Sequence, residues 1–251
     1  MNTKKEVFQL YEAVLALTPS QQQWVASVVK QFGLPKNFWR SESSDLLTPA
    51  VLESLGDALR IHHAFSRQPL SKDRFEYAFE RALSENGFKV ALATSRTNRG
   101  HDMTVNGVPI SLKTEAAANI KDDILHISKF MELGRGEWKL SLLRDLFLEH
   151  MQSYERIFQF RCLKQGPEHY FYELVEIPMA LFREASAARL EVREDSKQNP
   201  KPGYGYVTDG KGQEKYALYF DGGTERKLQI KGIRKELCTV HAKWDFDSAP
   251  L

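Results

Sequence analysis

Cysteine is nearly absent from this chain. Cys162 and Cys238 are the only two in 251 residues, too few for a disulfide framework and without the spacing of a metal site. Long apolar runs are missing as well: none approaches the roughly 18–20 residues that span a bilayer. The basic opening segment is broken by Glu6, Gln9 and Glu12, so nothing there marks the chain for export. The 15 glycines and 10 prolines are dispersed, which excludes collagenous and low-complexity classes. Charge of one sign is not in excess either, with 35 basic residues against 33 acidic and no basic tail. A polyanion-binding face must therefore be assembled in three dimensions from scattered Lys and Arg. The expectation is a soluble, cytoplasmic protein with reduced cysteines, long enough to bury a substantial core.

What is present begins with helix patterns over the first 65 residues. Val7, Leu10, Tyr11, Val14 and Leu15 recur at helical spacing until Thr18-Pro19-Ser20 interrupts them. Ser20 is a candidate cap for a second helix through Phe32, and Thr48-Pro49 opens a third toward Phe65. Asp73 is a candidate cap for a fourth helix to Asn86, with Phe75, Ala78, Phe79, Ala82 and Leu83 as its core-facing stripe.

The pattern then changes to strands. Phe88 to Leu92 reads as one, followed by two more on either side of Asn106-Gly107, the strongest short hairpin signal. Further candidates are strands at 124–127, 156–163, 170–177, 216–220, 227–230 and 239–246, and helices at 138–154 and 179–190. Residues 196–213 read as a long loop or loose hairpin. With neither an internal repeat nor a clear linker, the expected architecture is a single α/β domain. It comprises a helical portion over 1–70 and a core over 71–251.

The hairpin carries the chemistry. Alternate residues of a strand share a face, so Ser111, Lys113 and Glu115 point one way and pairing brings them toward Asp102. A carboxylate beside a lysine suits phosphodiester hydrolysis. The carboxylate holds a hard cation such as Mg²⁺, and the lysine orients the water or neutralises developing charge. Glu76, beside the core residue Phe75, is a candidate second ligand delivered by the preceding helix.

At Asp102, Ser111-Leu112-Lys113 and Phe75-Glu76 the chain resembles the PD-(D/E)XK nucleases. The longer segments 95–102, 112–117, 131–138, 201–207, 219–223 and 244–246 resemble the SmaI family of type II restriction endonucleases in particular. The resemblance implies a mixed central sheet flanked by helices and a Mg²⁺-dependent bacterial endonuclease acting as a homodimer. The implied reaction cuts both strands of DNA at a GC-only palindrome such as CCCGGG, leaving 5′-phosphates, with a cognate methyltransferase shielding the host. Asp102 and Glu76 would bind the metal with the Leu112 carbonyl, and Lys113 would poise the water. Two residues depart from the pattern: Ser111 stands where an acid is usual and His101 where proline is usual. Glu76 is the first candidate to replace the missing acid and Glu115 the second.

Arginine suits a GC-only site, because a guanidinium pairs with guanine O6 and N7. Candidate DNA contacts are Arg96, Asn98 and Arg99 before the aspartate, and Lys197, Gln198, Asn199, Lys201 and Tyr204 in the glycine-proline loop. Arg226, Lys227 and Lys231 form a basic strand better suited to phosphates, and Lys129 and Arg135 complete the set. His62-His63 reads as packing, and Gly222-Gly223 as a turn. Two rival readings are a strand-nicking or junction-resolving nuclease of the same fold and a non-catalytic DNA-binding protein.

Overall fold

The computed structural model describes residues 3–93, 100–117, 119–166 and 168–249. Two helices open the chain, α1 (Lys4–Leu15) and α2 (Pro19–Phe32), each started by a threonine capping box. The cap of α2 is Thr18 rather than Ser20, because Pro19 takes the first helical position, where its missing N–H costs nothing. Helix α3 (Pro49–Phe65) follows Thr48 as expected. Helix α4 (Lys72–Glu85) is capped by Ser71, which leaves Asp73 in the first turn.

The N-terminal portion is not wholly helical. Lys36–Arg40 forms β1, paired antiparallel with β12 (Thr239–Asp247). Only a partner some two hundred residues away makes that segment a strand. Next come β2 (Val90–Leu92), β3 (Met103–Val105) and β4 (Val108–Glu115). Asn106 and Gly107 both adopt positive φ, 51° and 87°, as a two-residue hairpin matched to strand twist requires.

With β6 (Arg156–Gln165) and β7 (His169–Glu176) these strands make a seven-stranded sheet ordered β1-β12-β7-β6-β4-β3-β2. It is mixed, since β4 and β6 run parallel while the other pairs are antiparallel. A second, antiparallel sheet is ordered β5-β11-β10-β9-β8. Its strands are β5 (Ile124–Glu132), β8 (Arg189–Val192), β9 (Gly203–Thr208), β10 (Glu214–Asp221) and β11 (Lys227–Arg234). It goes beyond the single central sheet expected.

Three further segments differ from expectation. Residues 179–190 form only a short helix, α6 (Met179–Arg183), and one 3-10 turn before β8 begins. The stretch 196–213 contains β9, whose Gly203, Tyr204, Gly205 and Tyr206 pair with both β8 and β10. Helix α5 (Leu140–His150) is two residues shorter at its start than expected and ends in a 3-10 turn.

The seven-stranded sheet separates two cores. Helices α3 and α4 bury Leu55, Leu59, Phe75 and Phe79 against Leu112, Phe158, Phe160 and Trp244. Phe75 stacks on Phe160 with ring centroids 4.2 Å apart. Burying one such side chain contributes about 1.5–3 kcal/mol. On the other side, Ile157 and Val175 meet α5, α6 and the second sheet through Phe147, Phe182, Leu218 and Ile230. The period of two in β6 sends Phe158 and Phe160 to the first core. It turns Ile157, Gln159 and Arg161 toward the second.

Candidate active site

Asp102 stands just before β3, opposite Ser111. Its amide donates to the Ile110 carbonyl at 2.9 Å, extending the hairpin by one residue beyond the Met103–Ile110 pair. Its Oδ2 accepts from the Leu112 amide at 2.6 Å and the Ser111 hydroxyl at 3.1 Å. Burial opposes the charged form of Asp102, but Lys113, Lys72 and the Leu112 N–H together hold its carboxyl below the usual range.

Lys113 follows in β4, on the face it shares with Ser111, and lines one cleft with Asp102. The cleft encloses about 720 Å³, with Lys72, Thr114, Phe130 and Glu149 also in its wall. The Lys113 ammonium lies 5.4 Å from the Phe130 ring centroid. Desolvation pushes its pKa down to about 8 despite the neighbouring Asp102. An amine so placed donates to, or accepts a proton from, a water on the cleft side.

Glu76 is the fifth residue of α4, next to the buried Phe75. One side chain, Lys72, ties it to the hairpin, with Nζ 3.0 Å from Glu76 Oε1 and 2.7 Å from Asp102 Oδ1. Sequence reasoning missed Lys72 because it stands thirty residues from Asp102 and carries no motif. It missed Tyr154 too. That phenol is buried and its hydroxyl lacks a hydrogen-bond partner among the described residues. Burial and the Asp102 charge both push its pKa up.

Glu115 and Leu112 have further partners of their own. Glu115 shares the Lys113 face, but its carboxylate accepts from Arg161 at 2.9 Å and Gln159 at 3.2 Å. Buried Arg161 also binds Glu173 and three backbone carbonyls, so Glu115 belongs to an internal ion network. Leu112, whose carbonyl is the expected third metal contact, donates its amide N–H to Asp102.

The donor set suits a hard divalent cation. Among the described residues no three His, Cys, Asp or Glu side chains converge, so a complete protein cage is absent. Mg²⁺ is ordinarily held by one or two carboxylates with waters and phosphate oxygens, and Asp102 with Glu76 beside an open cleft provides that number. The Lys72 ammonium already lies between their oxygens, so a cation fits there sterically.

The candidate DNA contacts fall into groups. Arg135, Gln198, Asn199 and Arg226, drawn from three separate segments, line one cavity of about 390 Å³ with Gly222, Gly223 and Thr224. The loop before β9 seats tightly on the β10–β11 turn, where a Cβ on Gly222 would come within 2.0 Å of the Pro200 carbonyl oxygen. Arg226 also covers the Trp138 ring at 5.6 Å, and Trp138 Nε1 donates to the Lys201 carbonyl at 2.7 Å. Lys197 is exposed in the same loop. The Lys201 ammonium is engaged by Glu194 at 2.6 Å, Lys227 by Glu225 at 3.0 Å and Lys129 by Glu132 at 3.0 Å. Tyr204 and Lys231 instead belong to a cluster on the second sheet, with Lys231 3.7 Å from the Tyr219 centroid. Arg96, Asn98 and Arg99 lie outside the described residues. No helix among the described residues is long and apolar enough to cross a membrane.

An acid and a lysine sharing a strand face of a mixed sheet, beside an open cleft, is an arrangement for hydrolysing a phosphodiester. The family profile described as SmaI, type II site-specific deoxyribonuclease, matches residues 10–246. The chain belongs to this family and is an enzyme of that class. Its similarity to the type II restriction enzyme SmaI of Serratia marcescens is 47% identity over 242 residues, covering 96% of this chain and 98% of that protein.

Proposed function

We propose that the chain is a Mg²⁺-dependent restriction endonuclease that hydrolyses both strands of duplex DNA at a GC-only palindrome, CCCGGG, leaving 5′-phosphates. The observation that carries this reading is that Asp102 and Lys113 line one cleft, with Glu76 joined to Asp102 through the Lys72 ammonium. Asp102 and Glu76 would hold the ion, which when bound supplies charge neutralisation at the phosphate and a more acidic water. Lys113 Nζ orients the attacking water and offsets charge developing on the phosphate oxygen. Arg135 would read guanine edges with Gln198 and Asn199 beside it. Arg226, expected at phosphates, joins it because it lines the same cavity, while Lys197, Lys201, Lys227, Lys231 and Lys129 would face phosphates.

A palindrome read once per half-site calls for a two-fold homodimer. Helix α5 directs Leu140, Leu143 and Phe147 into its own core, which leaves it little apolar surface for a partner. Helix α1 instead has no buried residue, and Val7, Phe8, Leu10, Tyr11 and Leu15 are 56–63% exposed, alongside Trp24 and Val29 on α2. Together these side chains offer on the order of the ~800 Å² that each partner brings to a standard interface. The second copy would dock there. A methyltransferase modifying the same target would shield the host.

Incubating the purified protein and Mg²⁺ with a sequenced plasmid, then mapping the ends, tests the reading. Cuts in both strands at CCCGGG support it. A single-strand nick, another target, or Mg²⁺-independent binding without cutting would replace it. Sedimentation of Leu10→Glu against the parent chain tests the interface, with the variant expected as a monomer.

A further inference from the structure

Lys72 occupies the first position of α4, where the positive end of the helix dipole disfavours a cation. Even so, its ammonium is placed firmly, 2.7 Å from Asp102 Oδ1 and 3.0 Å from Glu76 Oε1. These are the two carboxylates assigned above to the metal, and the present inference rests on that assignment. We propose that Lys72 is a resident counter-cation of the acidic pair, one that a divalent ion must displace in order to bind.

Three features support exchange rather than a permanent tie. Two carboxylates brought to one point repel each other, and a single positive charge between them offsets part of that cost without filling the site. The same lone pairs that accept from Nζ are those a metal needs, so the two cations compete directly. Lysine is also suited to leaving: its charge is compact and rides on a flexible four-carbon stem, unlike the planar fork of arginine. The Lys72 side chain is 40% exposed while its partners are 18% and 21% exposed. It also lines the cleft, so it has space to swing into.

The proposal predicts an effect opposite to that of losing a supporting residue. Removing the lysine charge should tighten metal binding. Mn²⁺ titrated into the full-length, DNA-free protein and followed by electron paramagnetic resonance or calorimetry reads this directly. Lys72→Met is expected to bind roughly fivefold more tightly than the parent, the scale of a partly exposed ion pair. In chelator it should melt at a lower temperature than the parent, and Mn²⁺ should raise its melting temperature by more. Lys72→Arg should show no tightening, and Lys72→Gln serves as a second neutral variant should the methionine variant fold poorly. Equal or weaker binding by both folded neutral variants overturns the inference and leaves Lys72 a structural tie. Asp102→Asn separates the two levels of the argument. If it retains parental Mn²⁺ affinity, the metal assignment itself fails; if it loses affinity while the Lys72 variants do not gain it, only the counter-cation role fails.

Discussion

The hydroxyl of Ser111 donates a 3.1 Å hydrogen bond to Asp102 Oδ2 across the hairpin, from a position only 1% exposed. This is the place where the nuclease pattern has its second acid. Here the residue supports the aspartate rather than adding charge beside it. Ser111→Ala should lower stability by about 1–3 kcal/mol, the scale of a lost bond to a charged group, and slow cleavage without abolishing it. Ser111→Asp should be destabilised in chelator by carboxylate repulsion and should recover with Mg²⁺. Urea melts with and without the ion check both, and an Asp variant indifferent to Mg²⁺ counts against a metal at Asp102.

Asp102→Asn and Lys113→Met remove the two groups that converge on the cleft. Each should reduce cleavage by at least about 10²–10³-fold, the usual effect of deleting a group that stabilises the transition state. Far-ultraviolet circular dichroism should stay unchanged, because neither side chain belongs to a hydrophobic core. Plasmid digestion at the parental rate by either variant removes the mechanism.

Glu115 should behave differently from both. Its carboxylate is bound by Arg161, which is fully buried and also grips Glu173 at 2.5 Å. Arg161→Met leaves two acids without their shared partner and should cost roughly 3–5 kcal/mol in urea denaturation. Glu115→Gln is expected to lower stability by less and to keep its turnover per folded molecule. A hundredfold drop in its turnover would return Glu115 to the catalytic group.

Base reading should depend on how the loop before β9 sits on the β10–β11 turn. Arg226→Ala and Arg135→Ala are each expected to cost about 1–3 kcal/mol of discrimination at one base pair. Lys197→Ala should weaken binding to all sequences alike and flatten the salt dependence. Gly222→Ala drives a methyl against the Pro200 carbonyl and should impair discrimination without touching DNA itself. Competition binding against targets changed at one base pair distinguishes these outcomes.

Stability should fall with acid through His63. This ring is fully buried, with Nδ1 donating to the Ser66 carbonyl at 2.9 Å and Nε2 accepting from the Tyr172 hydroxyl at 2.7 Å. Desolvation pushes its pKa down from 6.5 to about 4, so the folded state favours the neutral ring. Between those values the unfolded chain binds more protons. The contribution is therefore complete above pH 6.5 and is lost as pH falls toward 4, by up to about 3 kcal/mol. An NMR titration of the ring should show a midpoint near 4, and a midpoint near 6.5 would remove the effect.

The comparison of sequence with structure separates along the same physical line. The four N-terminal helices and the Asn106-Gly107 hairpin were legible because caps, apolar period and turn chemistry act within a few residues. The shared face of Ser111, Lys113 and Asp102 followed from the strand period of two. Shifts such as Thr18 for Ser20 and Ser71 for Asp73 are choices between adjacent capping residues. Lys36–Arg40 was unreadable as a strand because the backbone bonds that define it come from β12.

The sequence by itself determined the local elements and the side on which the hairpin acid and lysine stand, since both follow from short-range backbone geometry. Only the tertiary structure decided that Lys72 lies between Asp102 and Glu76 and that Arg161 engages Glu115. It likewise decided that Arg135, Gln198 and Arg226 border one cavity. Each of those relationships joins segments whose approach is set by how helices and sheets bury their apolar faces, and no pattern within a single segment records which polar partner that burial will bring near.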